Sequence, residues 1–312
     1  MKTLLLNGLF LILCLVGSAG EKFSFDRPLK IHDSFQCRIF TDQSVRYSFL
    51  LRGREQPLTR LETLQGSFSG YIRVLALNSR GNASVLQIRM NSAHGSVNGK
   101  PVRFRTGKKG ILIRGDLSGR NPVFIREGNR SFSAEETALL RAFFPPASSS
   151  KISDLTGKEH LLPPHGHSWP VLTDLFLQTL ARRQIRLPKS SIRGGVTYCG
   201  MSRVEKFPCR QFVIRMETDS LKEYDFRLKV TFCMGKDSPV PLKMKREAKE
   251  ILSRTLNGND PFSGGSKVEL HSQDQTEQWL LPLRGSDREN LWQEFPPENT
   301  FAPRGEWRNL LR

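Results

Sequence analysis

Acidic residues, long apolar runs and catalytic signatures are what this chain has least of. Asp and Glu number 30 against 48 Lys and Arg in 312 residues, a formal charge of +18 and a pI near 10.1. Beyond residue 20 no apolar stretch approaches the roughly 20 residues that a membrane-crossing helix needs, so no transmembrane segment is expected in the mature chain. Five cysteines include no Cys-x-x-Cys unit, which disfavours a zinc ribbon or a thioredoxin-like site. There is no His-Glu-x-x-His helix. Gly66 to Gly70 has the glycine spacing of a nucleophile elbow, but Phe68 stands where the serine belongs. Asn98-Gly99-Lys100 leads into Pro101 where a phosphate loop needs Ser or Thr, and Ser148-x-x-Lys151 falls in a serine-rich stretch. Glu135-Glu136 sit at a helix start, where acids favour the dipole. These absences weigh against an enzyme, and no cofactor is expected.

What is present begins with an address. Lys2 precedes an apolar stretch from Leu4 to Val16 that ends in Gly17, Ser18, Ala19 and Gly20, the pattern of a cleaved secretory leader over residues 1–19. The expected location is therefore secreted or periplasmic. Cys14 leaves with the leader, and an even set of Cys37, Cys199, Cys209 and Cys233 remains, as suits disulfides in an oxidising compartment. Cys199 and Cys209 flank a turn-like stretch with Gly200 and Pro208, which points to their pairing and leaves Cys37 with Cys233.

Residues 20–145 read as a β-rich half ending in a helix. Tyr71 to Leu77 and Ala83 to Met90 are strand-like, with Asn78, Gly81 and Asn82 between them as turn residues. Ser133 and Glu136 have capping-box spacing, Leu139, Leu140 and Phe143 give an apolar helix face, and Pro145-Pro146 stop it. Residues 146–170 read as a linker or crossover. Residues 171–256 form a second β-rich half, with a helix over Leu172 to Arg183 and strands at Gly195 to Gly200, Cys209 to Thr218 and Asp225 to Met234. In the last of these, Phe226, Leu228, Val230 and Phe232 alternate with polar residues, and Cys233 falls on the polar parity. Pro241 is expected to open a basic helix that runs to Leu256, with Gly258 beyond it. Residues 257–312 read as an extended, Pro- and Gly-bearing tail that carries Trp279, Trp292 and Trp307. The fold class is α+β, mainly antiparallel β in one or two curved sheets with a few packed helices.

Three groups of residues are candidates for function. His160, His165 and His167 lie within eight residues of one another, near Glu159 and Asp154, and imidazoles with a carboxylate suit zinc. Trp279, Trp292 and Trp307 are candidates for docking a partner, or for pinning the tail to its own domain. Basic residues cluster at 103–130, with eight Lys and Arg against two acids, and again at Arg182, Arg183, Arg186, Lys189 and Arg193. Export argues against nucleic acid, so the expected partners of a basic face are an anionic glycan, a lipid or an acidic protein.

Pro163-Pro164 and Gly166-His167-Ser168-Trp169, with Tyr198-Cys199-Gly200 and the Cys209 to Met216 pattern, resemble secreted β-rich bacterial proteins of unknown function that carry a Gly-x-x-Trp junction between two halves. Here His167 replaces an acid. The resemblance implies an exported protein and supplies no activity. The expectation is a non-catalytic binding protein of the cell envelope, by analogy with lipoprotein carriers whose curved sheet and helix enclose an apolar ligand. The alternatives are an assembly protein that uses the Trp-bearing tail, then a secreted metal-dependent enzyme. Residues 20–251 carry 40 Lys and Arg against 21 acids and residues 252–312 carry 7 against 9, so the positive charge belongs to the body.

Overall fold

The computed structural model describes residues 22–50, 56–107, 109–128, 131–147, 151–162, 164–219, 223–256, 266–283 and 291–292. Residues 1–19, where a leader is expected, and Trp307 lie outside them. The fold is α+β and is dominated by one antiparallel sheet of twelve strands.

In the first half the strands are β2 (Ser34–Leu50), β3 (Leu58–Leu77), β4 (Ala83–Val97), β5 (Lys100–Arg103), β6 (Ile111–Asp116) and β7 (Val123–Arg126). The second half contributes β9 (Ser168–Pro170), β10 (Ile192–Val204), β11 (Phe207–Thr218), β12 (Tyr224–Met234), β13 (Lys243–Leu256) and β14 (Ser266–Pro282). Across the sheet the order is β7-β6-β4-β3-β2-β14-β13-β12-β11-β10-β9, with β5 beside β4. A separate two-stranded ribbon pairs β1 (Lys22–Ser24) with β8 (Glu159–Leu161).

The turn between β3 and β4 forms as its residues dictate. The Asn78 side-chain carbonyl accepts from the N–H groups of Arg80 and Asn82, both at 3.0 Å, and Gly81 takes a left-handed φ of 72°. Helix α1 (Ala134–Phe143) follows its cap: the Ser133 hydroxyl accepts from the Glu136 N–H at 3.1 Å, and the Glu136 carboxylate accepts from the Ser133 N–H at 2.9 Å. Its buried Leu139, Leu140 and Phe143 lie against β2 to β5 and complete the first half-core with Phe35, Ile39, Phe68, Ile88 and Ile113. Gly66 is the reason the helix sits so close. A Cβ there would lie 2.8 Å from a Leu139 methyl and 3.0 Å from the Phe143 ring. The Gly66 to Gly70 stretch that fails as a nucleophile elbow thus serves packing.

The second half-core is built in a parallel manner. Phe212, Ile214, Val230 and Phe232 face Phe23 and Phe25 of the N-terminal segment, while Leu180 of α3 (Asp174–Arg182) and its neighbour Phe176 cover the Phe226 end. The crossover between the halves holds a single helical turn, α2 (Ser153–Thr156), with β8 and β9. Among the described residues no helix is long and apolar enough to cross a membrane.

Two expectations are corrected. Residues 241–256 do not form a basic helix; Lys243–Leu256 is strand β13, paired along its length with β12 and β14. Met244, Ala248 and Leu252 recur every four residues, a spacing shared by one face of a helix and one face of a strand, so periodicity cannot separate the two. Lys, Arg, Glu and Ala tilt the local preference towards helix, and pairing on both edges overrides it. The tail reading of 257–312 is also overturned for Ser266–Pro282, which is a central strand between β2 and β13.

The packing of α1 gives a direct test. Gly66→Val is expected to lower stability by about 2 to 3 kcal/mol by overpacking beneath the helix. Ser69→Val, on the opposite face of β3, should stay within about 0.5 kcal/mol. Urea denaturation of the two variants measures both.

Candidate functional site

Directly paired residues on neighbouring strands share a face, so the register reads the inner surface row by row. One row runs Ala93, Phe68, Ile39, Gln278, Met244, Phe232, Phe212 and Tyr198 from β4 to β10. It is apolar except at Gln278. The next runs Gly95, Gly66, Thr41, Thr276, Arg246, Val230, Ile214 and Val196, and its polar members lie on β14 and on the strands either side of it, β2 and β13. A polar strip therefore separates the two half-cores on one continuous face. It satisfies itself: Arg246 donates to Asp274, the Thr276 hydroxyl donates to Asp274 at 3.1 Å, and Thr41 lies 3.4 Å from Thr276.

Where this strip meets the ends of the half-cores, a cavity of about 330 Å³ opens between them. Its walls are largely apolar: Phe25, Leu29, Leu117, Ile152, Met234, Val240 and Met244, with the prolines 145, 146, 239 and 241 and with Gln278 at the floor. The N-terminal segment bridges the junction, because Phe25 packs in the second half-core and Leu29 against the first. Charged groups stand at its edge. Asp26 accepts from Lys151 at 3.3 Å, and Arg27 Nη1 donates to Asp237 at 3.3 Å. Arg27 Nε is buried with no hydrogen-bond partner among the described residues. A buried donor left in this state costs about 1 to 3 kcal/mol, which an acceptor brought into the cavity would recover.

None of the histidines, tryptophans, cysteines or clustered basic residues singled out as functional candidates lines this cavity. His165 and His167 are exposed, the His165 ring lying over Gly200, and the side chain of His160 is outside the described part of the chain. No cluster of three potential metal ligands occurs among the described residues. Trp279 lies on the outer face beside Leu242 and Leu281, with the Lys243 ammonium 4.8 Å from its ring centroid. Trp292 is 8% exposed and packs on Leu112, Tyr71 and Ile125, so this tryptophan is engaged by its own chain. In the second basic group Arg183, Lys189 and Arg193 each pair with an acid, whereas Arg103, Arg105 and Arg120 of the first are exposed.

The four described cysteines, Cys37, Cys199, Cys209 and Cys233, are free thiols in this structure. Cys37 is fully buried on the inner face and Cys233 lies on the outer face three strands away, roughly 14 Å in strand spacings, so the Cys37–Cys233 pairing is one this fold does not allow. Cys199, Cys209 and Cys233 share the outer face, and Cys199 is turned towards the Thr197 carbonyl at 3.8 Å. The cavity residues escaped recognition as a site because Met in strands and Val and Pro in loops carry no motif. Their one sequence signal is the polar run from His271 to Gln278 inside a strand otherwise flanked by apolar residues.

The sequence matches no family profile and no curated protein. Comparison with solved structures gives weak likenesses of low identity. A lipovitellin structure shares 9% identity over 82% of this chain, with a TM-score of 0.26, and the chain spans only 26% of that protein's length. The Pseudomonas aeruginosa protein OccK11 shares 8% identity over 83% of this chain and all of its own, with a TM-score of 0.15. A DUF1329 family protein from Desulfovibrio piger shares 10% identity, covering 75% of this chain and 83% of its own, with a TM-score of 0.12.

Burial sets a pH dependence in the reduced protein. It pushes Cys233 up to about 12 and raises Cys37 and Cys209, and it raises Tyr224 with help from the nearby Glu250 carboxylate. Each group ionises more readily in the unfolded chain. The stability contributed by the protonated forms is therefore complete below about pH 9 and is lost as pH rises towards 12. Urea midpoints of the reduced protein should fall from pH 8 to pH 10.5, and Cys233→Ser should flatten part of that fall.

Proposed function

We propose that this protein is a non-catalytic binding protein of the cell envelope that holds a small amphiphile at the junction of its two half-cores. The observation that carries the reading is the junction cavity itself, apolar on its walls and with a buried, open Arg27 donor at its edge. Its volume lies at the low end of the ~300–1,000 Å³ typical of small-molecule sites, which suits one short apolar chain. An acidic headgroup beside Arg27 would meet the unused donor, and a charge-assisted hydrogen bond there is about twice as strong as a neutral one. The envelope location rests on the leader-like N-terminus. The polar strip of Thr41, Thr276, Asp274 and Arg246 stays occupied with its own hydrogen bonds, so it bounds the apolar site on one side.

Calorimetric titration of the full mature chain with decanoate and with decanol tests this. Decanoate should bind, Met244→Trp and Val240→Phe should each weaken binding at least tenfold by filling the cavity, and Arg27→Met should weaken decanoate far more than decanol. Thermal melts of each variant establish that the fold is intact. No decanoate binding by the wild-type chain, or unchanged binding in both cavity-filling variants, would overturn the proposal.

A further inference from the structure

The outer face of β10 to β12 carries a feature that the binding reading does not use. Cys233 falls on the polar parity of β12, yet it is 7% exposed, because a small apolar cluster of Val204, Phe207, Leu242 and Leu281 closes over it together with Cys209. Arg210 pairs with Met234 and Gln211 with Cys233, so Cys209 and Cys233 are diagonal neighbours on one face of adjacent strands. Both side chains are buried members of that one small cluster, and each thiol acts on the ionisation of the other. In a flat sheet a diagonal pair is about 7 to 8 Å apart at Cα, at the upper edge of what a disulfide spans, and strand twist shortens one of the two diagonals. The two side chains meet in one buried cluster across this diagonal. Both residues also stand near strand ends, beside Pro208 and Gly235, where the backbone has room to adjust.

We propose that Cys209 and Cys233 are joined by a disulfide when the chain folds in an oxidising compartment, tying β11 to β12, while Cys37 and Cys199 remain thiols. The oxidant is a small-molecule disulfide such as oxidised glutathione. One thiolate attacks it, forming a mixed disulfide and releasing one glutathione thiol. The second cysteine then loses its proton and attacks the mixed bond, releasing the second glutathione. Two protons and two electrons leave the cysteines, and the glutathione disulfide is reduced to two thiols. Thiols that are buried and hold their protons tightly are poor nucleophiles, so the exchange precedes closure of the apolar cluster. The folded, reduced protein should resist the same oxidant.

Trypsin places the four cysteines on separate fragments: Ile31–Arg38, Gly194–Arg203, Phe207–Arg210 and Val230–Lys236. The full mature chain is refolded from denaturant in a glutathione redox buffer, trapped with N-ethylmaleimide under denaturing conditions, digested and analysed by mass spectrometry. The expected product is Phe207–Arg210 linked to Val230–Lys236, with the other two fragments labelled by maleimide. Cys199→Ser should give the same link, and reductant should lower the urea midpoint of wild type but not of Cys233→Ser. Maleimide on all four fragments, or a link between Gly194–Arg203 and Phe207–Arg210, overturns the assignment.

Discussion

Everything in this fold depends on the pairing of β2 with β14. It runs unbroken from Phe35 opposite Pro282 to Leu50 opposite Lys267, and it joins a first-half strand to the last described strand of the second half. Each half has its own helix-covered core, and neither core supplies the other with side chains across most of the sheet. The main-chain ladder at the seam is what turns two such units into one twelve-stranded surface. Two unpaired long strands would otherwise be exposed edges of the kind proteins must cover.

The seam also sets the chemistry of the inner face. Among the described residues no helix lies over the middle of the sheet, and Thr41, Thr276, Asp274 and Arg246 form a hydrogen-bonded strip there. Apolar walls return only where the N-terminal segment and the proline-bearing loops fold across the junction. The cavity is thus a product of how two covered halves are joined, and its lining comes from six separate stretches of chain. Its charged edge, Asp26 with Lys151 and Arg27 with Asp237, links the same stretches.

Much of the architecture was legible in the residues. Ser133 and Glu136 announced α1, Asn78, Gly81 and Asn82 announced a hairpin, and the alternation from Phe226 to Phe232 announced β12, because each signal is local and each local preference agrees with the final structure. The failures have one cause. β13 and β14 are amphipathic or polar strands whose state is fixed by neighbours far away in sequence, so Met244, Ala248 and Leu252 fitted a helix equally well, and the polar run in β14 looked like tail. The candidate site was not legible at all. Phe25, Leu117, Val240 and Met244 are unremarkable singly and become a cavity only by assembly, whereas the conspicuous His165 and His167 lie on an exposed loop.

The position of β14 governs the order in which the molecule can be made. The strand in the middle of the sheet is among the last to be synthesised, more than 200 residues after β2, the partner it must find. Closing such a loop carries a large entropic cost before any contact repays it, and high contact order slows folding. Until residue 282 emerges, β2 and β13 each lack the partner for one edge, so any stage reached before then leaves these complementary borders unpaired. For a polypeptide delivered N-terminus first, that stage lasts as long as delivery does, and in that interval the β2 and β13 edges are open to pairing with any other unpaired strand.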